Sequence, residues 1–104
     1  MKKKILLGVF LLLTAFVLFA QSGPILTIVN KCGYPIYSVY ISPSNSDDWE
    51  EDLLGDENIL MPGQILNVRL PGNGIWDFLA VDADGDTYEV YGVRVPGTDG
   101  INIQ

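Results

Sequence analysis

The sequence has no histidine, a single cysteine and only six basic residues, three of them crowded into its first four positions. Without histidine there is no side chain that titrates near neutral pH unaided. A Ser-His-Asp arrangement and most zinc sites are excluded with it. Cys32 has no histidine to activate it, which excludes a papain-like nucleophile, and no second thiol for an internal disulfide. The fold must therefore be held by its core. Beside Gly33, Cys32 reads as a half-buried small side chain in a turn; the other use open to it is a bridge between molecules. Repeats, a linker and a second domain are also missing. The 104 residues suit one small domain.

The N-terminus has the features of a secretory signal. Lys2, Lys3 and Lys4 precede an apolar run over residues 5–19 that only Gly8 and Thr14 interrupt, and Ala20 suits the position before a cut. The run falls short of the ~20 residues that span a bilayer, and no cysteine follows it closely for lipid attachment. The expectation is an exported protein, periplasmic or secreted, with a cleaved signal over 1–20, one domain over 21–104 and no membrane insertion after cleavage. That domain carries three basic groups, Lys31, Arg69 and Arg94, against 13 acidic ones, a net charge of −10 against −7 for the whole chain. Such a surface repels nucleic acid and anionic lipid. Its partners would be cations, basic proteins or neutral surfaces.

Five of the acids stand within residues 47–52. Asp47 and Glu50 have capping-box spacing, Trp49 and Leu53 share a helical face, and Gly55 stands where a left-handed cap is wanted. The stretch predicts a short helix of one to two turns, dependent on tertiary support.

Around it the pattern is that of strands. Residues 25–31 place Leu26 and Ile28 on one face and Ile25, Thr27 and Val29 on the other. Residues 36–42 place Tyr37, Val39 and Ile41 opposite Ile36, Ser38 and Tyr40. Residues 64–70 point Leu66, Val68 and Leu70 inward and Asn67 and Arg69 outward. Pro71-Gly72-Asn73-Gly74 is a turn; no helical pattern follows it, so its glycines do not cradle a phosphate. Residues 75–82 and 87–95 are the longest strands, and 101–103 the last. About six strands with one helical crossover predict an all-β, small antiparallel β-sandwich, Ig-like in outline.

The Asp84-Gly85 pair predicts a two-residue hairpin loop. In that register Val81 meets Tyr88, Leu79 meets Val90 and Trp76 meets Val93. Trp76, Phe78, Tyr91 and Val93 then form one face, and Leu79, Val81, Tyr88 and Val90 a second apolar face. Another element covers that second face, or it is a patch for a partner.

Asp82-Ala83-Asp84-Gly85-Asp86 also begins like a calcium loop. Thr87 stands where an EF-hand needs glycine, however, and Val93 where it needs an acid. Clustered carboxylates suit Ca²⁺, so the candidate metal ligands are Asp47, Asp48, Glu51 and Asp52 in the acidic stretch and Asp82, Asp84 and Asp86 at the tip. Asp and Gly are equally what a turn selects.

Ser42-Pro43-Ser44-x-Ser46-Asp47-x-Trp49-x-Glu51-Asp52-Leu53-Leu54-Gly55, with the later Asp82-x-Asp84-Gly85-Asp86, resembles a group of small, mostly exported bacterial proteins of uncharacterised activity. The resemblance spans roughly residues 29–95. Where that group usually has glycine after the tryptophan, this chain has Glu50. The resemblance implies a small β domain and no activity. The expected function is non-catalytic: an exported β-sandwich that acts in binding or assembly through the acidic stretch and the Leu79/Val81/Tyr88/Val90 face. The alternative is a domain that binds, or is stabilised by, Ca²⁺. A hydrolase using paired carboxylates would need a deeper cleft than a small sandwich with short loops offers.

Overall fold

The structure, a computed structural model, describes residues 23–104 and, before them, only the backbone of Ile5–Leu6. The signal expected over 1–20 otherwise lies outside the described residues. The strands are β1 (Ile5–Leu6), β2 (Ile25–Asn30), β3 (Ile36–Pro43), β4 (Asp48–Trp49), β5 (Ile65–Arg69), β6 (Gly74–Asp82), β7 (Thr87–Val95) and β8 (Gly100–Ile103). Two three-stranded sheets, ordered β5-β2-β8 and β3-β6-β7, supply the layers, while β1 and β4 form a two-residue parallel pair.

The sheets meet through their apolar faces. Leu26 and Ile28 of β2, Val68 of β5 and Ile103 of β8 join Val39 and Ile41 of β3, Phe78 and Ala80 of β6, and Val93 and Val95 of β7 in one buried cluster. The alternation read for β2 and β5 holds: Leu26 and Ile28 are buried, and Leu66, Val68 and Leu70 turn inward while Asn67 and Arg69 are exposed. The sandwich is therefore as expected, with one difference in its pairing. β8 lies parallel to β2, with Ile28 opposite Ile101, because the chain crosses from one sheet to the other after β7 instead of turning back in a hairpin.

β3 departs from strict alternation. Its register against β6 slips between Ile36, opposite Asp82, and Ser38, opposite Val81, so Tyr37 is an extra residue in a bulge. The bulge lets Ile36 enter the core with Val39 and Ile41 and puts Tyr37 outside. The expected grouping of Tyr37 with Val39 and Ile41 is corrected accordingly.

The expected helix over the acidic stretch is not formed. After β4 the chain runs beside the free edge of β3. The Glu50 amide donates to the Ile41 carbonyl (2.8 Å) and the Leu53 amide to that of Val39 (2.7 Å). Oδ1 of Asp52 accepts the amides of Val39 (2.9 Å) and Leu54 (3.0 Å). A helix this short is marginal alone, and an open strand edge offers the same amides stronger company. The stretch thereby shields an edge that would otherwise invite foreign strands. Trp49 is buried but outside the central cluster, and Leu53 packs against that cluster from its margin. Further along, Leu60 exchanges both backbone hydrogen bonds with Ile36 (2.9 Å each).

The β6–β7 hairpin also differs from expectation. Its loop has three residues, Ala83, Asp84 and Gly85, closed by Asp82 and Asp86. The Asp82 amide donates to the Asp86 carbonyl (2.9 Å) and the Gly85 amide to that of Asp82 (3.0 Å). Only Gly85 has positive φ (86°), the pattern of a right-handed turn followed by a glycine bulge. A two-residue loop would need positive φ at Asp84 as well. Val81 consequently meets Thr87, Ala80 meets Tyr88, Leu79 meets Glu89 and Phe78 meets Val90. A second slip at Gly92, whose φ is 71°, restores Trp76 opposite Val93. Tyr88 and Val90 thus face the core, and Leu79 and Val81 the outside. The four do not share a face.

Candidate functional site

The outer face of the β3-β6-β7 sheet can be read row by row from its register. One row runs Asp52, Tyr40, Leu79, Glu89: Tyr40 bridges to Asp52 and pairs with Leu79, which pairs with Glu89. The neighbouring row contains Val81 between Ser38 and Thr87, with bulged Tyr37 pushed out beside Ser38. Ile59 stands one residue before the Leu60–Ile36 bridge at the edge of β3. Tyr37 and Ile59 are 48% and 45% exposed. Tyr40, Leu79 and Val81 are half-buried.

Two of the residues expected in a partner patch, Leu79 and Val81, are therefore in this face. The other two, Tyr88 and Val90, pack against the core. Tyr37, Tyr40 and Ile59 were not foreseen as members. Strict alternation hid Tyr37, because nothing in residues 36–42 marks a bulge, and Ile59 stands in a stretch with no strand pattern.

At one end of the face lies the Asp82–Asp86 loop, tied to it by the Ala83 amide, which donates to the Pro35 carbonyl (3.0 Å). Asp82 is 3% exposed, yet its carboxylate is fully engaged. Oδ1 accepts the amides of Asp84 and Asp86 (2.9 Å each), and Oδ2 accepts the Tyr88 hydroxyl (2.8 Å). Burial raises its pKa, but the Tyr88 hydroxyl and the amides of Asp86, Asp84 and Gly85 outweigh burial and hold it below the ordinary value of 3.8. The same hydrogen bond, then burial, then the nearby Cys32 thiol, push the Tyr88 phenol far above its ordinary 10.0. Cys32 is half-buried against the core, and its Sγ reaches the Tyr34 carbonyl at 3.4 Å.

Asp82, Asp84 and Asp86 each offer an oxygen within 4.8 Å of the others, the only such group of three or more potential ligands among the described residues. Asp47, Asp48, Glu51 and Asp52 belong to no such group, with one another or with the tip. Asp47 and Glu51 are exposed on the chain beside β3, and Asp52 is occupied by the Val39 and Leu54 amides.

At the opposite end of the sheet is an open cleft of about 370 Å³ between Pro43, Ser44, Asn45, Asn73, Ile75 and Trp76. Trp76 there donates its indole N–H to the Gly72 carbonyl (3.1 Å). Beside the cleft, Asp77 is 1% exposed and accepts the Ser44 hydroxyl (2.6 Å) and the Gly92 amide (2.9 Å), filling the second bulge.

No family model, no curated protein and no solved structure matches this chain.

Proposed function

We propose that this protein is a non-catalytic, exported binding or assembly module whose contact surface is the outer face of the β3-β6-β7 sheet. One observation carries the reading: Tyr40, Leu79 and Val81 stand in two adjacent rows of that face, Tyr37 bulges out beside them and Ile59 precedes the bridge at the edge of β3, with Tyr37 and Ile59 about half exposed. A monomer with no partner has little reason to keep such rows apolar. The acidic stretch contributes by folding along β3, where Asp52 closes one row. Export rests on the lysines and apolar run of residues 2–19. With a net charge of −10 over residues 21–104, nucleic acid and anionic membranes are not its partners.

The test is photo-crosslinking in the producing cell from a benzoyl-phenylalanine placed at Tyr37 or Val81, with Ile65 on the opposite sheet as the reference position. Discrete protein adducts from 37 and 81 and none from 65 are expected. Equal adducts from all three, or none, would remove the reading.

The close approach of Asp82, Asp84 and Asp86 favours a second reading, a Ca²⁺-stabilised domain. Asp84 and Asp86 would be its principal ligands, since Asp82 is already engaged by two amides and a hydroxyl. Melting in EDTA and across a Ca²⁺ titration, with Mg²⁺ and salt controls, decides it. A ligand at 100 times its Kd adds about 2.7 kcal/mol, and a Ca²⁺-specific rise in Tm of that order is required.

A further inference from the structure

We infer that the partner taken by the outer face of the β3-β6-β7 sheet is a basic amphipathic helix. This rests on the module reading and adds the chemistry of what is bound.

The argument is one of charge placement and width. The row Asp52–Tyr40–Leu79–Glu89 is apolar in its middle and carries a carboxylate at each end. The row beside it, Ser38–Val81–Thr87 with bulged Tyr37 next to Ser38, has acids near it as well. Asp56 and Glu57, both exposed, stand three and two residues before Ile59, and the loop bearing exposed Asp84 and Asp86 closes the strands that hold Val81 and Thr87. None of Lys31, Arg69 and Arg94 stands in either row. An apolar strip with carboxylates along both margins complements a ligand with an apolar centre and cations on both flanks.

Three inter-strand steps separate the ends of a row, about 14 Å at the usual strand spacing. A small cation cannot cover that distance. A helix of roughly 10–12 Å diameter can, with its apolar stripe on Tyr40, Leu79, Tyr37 and Val81 and its Lys or Arg side chains reaching outward to both margins. A second copy of this chain fits poorly, because it would bring a like charge of −10 against the same acids.

The experiment is a titration of the purified protein, followed by amide NMR, with a Leu/Lys amphipathic peptide about five turns long, ~18 residues. Two relatives of the peptide serve as controls, one with Glu replacing Lys and one with Ser replacing Leu. Shifts confined to β3, β6, β7 and residues 50–60 are expected, with binding on the order of tenfold weaker for each control. Tyr37→Ser and Glu89→Gln should each weaken binding several-fold, and Ile65→Ser should not. Equal binding of the Ser-substituted peptide would reduce the effect to charge alone and overturn the inference, as would shifts centred on β5 or a dimer formed through this face without peptide. The photo-crosslinking separates the two failures. Adducts at 37 and 81 whose captured segment is not basic would leave the module and remove the helix, while absence of adducts would remove both.

Discussion

The Tyr88 hydroxyl donates to Oδ2 of Asp82 at 2.8 Å, joining the last residue of β6 to the second residue of β7. This bond and the two amides on Oδ1 hold the three-residue loop, and the loop sets which side chains of β7 face the core.

Acid should therefore loosen this end of the sandwich. The Asp82 pKa is lowered in the fold, so the carboxylate contributes stability that is present above the unfolded value near 3.8 and is lost as pH falls through the lower folded value. Melting between pH 5 and pH 2 should show a decline that is smaller in Asp82→Asn than in the wild type. Equal declines would mean that other carboxylates control the acid limb.

At the alkaline end the sign follows from Tyr88, whose phenol is held above its ordinary value. The unfolded chain ionises this tyrosine near pH 10 and the folded chain does not, so stability should fall as pH rises past 10. Absorbance at high pH should show a late step from Tyr88, distinct from that of Tyr91, whose phenol burial and Glu89 also raise. Tyr88→Phe should remove that late step.

Asp77→Ala should destabilise the protein by about 1–3 kcal/mol, since it removes the acceptor that the Gly92 amide and the Ser44 hydroxyl share at the bulge, in two part-buried hydrogen bonds. Gly92→Ala should cost about 1–2 kcal/mol for a different reason, the left-handed backbone at φ 71°. Urea denaturation of the two single variants and the double variant measures both, and their coupling reports on the bulge they share.

Of Asp47, Glu51 and Asp52 at the edge of β3, only Asp52 should matter for stability. Asp52→Ala removes the acceptor of two backbone amides and should cost roughly 1–3 kcal/mol. Asp47→Asn and Glu51→Gln, both on exposed side chains, should fall within about 0.5 kcal/mol of the parent. A large effect at Asp47 or Glu51 would show that the stretch is bound elsewhere in solution.

These particulars show what the sequence could and could not convey. Apolar alternation sorted β2 and β5 correctly, because both are regular strands with one face in the core. The same rule failed at Tyr37 and at the β6–β7 loop, where one added residue reverses every side chain beyond it. The Asp84-Gly85 pair satisfies two turn types, and the choice was made by the Asp82 side chain, which captures the Asp84 and Asp86 amides and favours the longer loop. The acidic stretch misled for a related reason. Its capping spacing is local, whereas the hydrogen bonds that Glu50, Asp52 and Leu53 make belong to the edge of β3, the strand before it, which no spacing within the stretch announces. As for the candidate site, alternation along residues 75–82 already set Leu79 and Val81 opposite Trp76 and Phe78, whereas Tyr88 and Val90 were grouped with them only because the hairpin register was read one residue short.

That register is the claim on which the binding face depends, and nuclear Overhauser contacts across β3, β6 and β7 test it most directly. Contacts of Tyr88 with Ala80, Val90 with Phe78 and Tyr40 with Leu79 are predicted. Contacts of Tyr88 with Val81 and of Val90 with Leu79 would contradict it, placing all four apolar residues on one face and dissolving the rows described above.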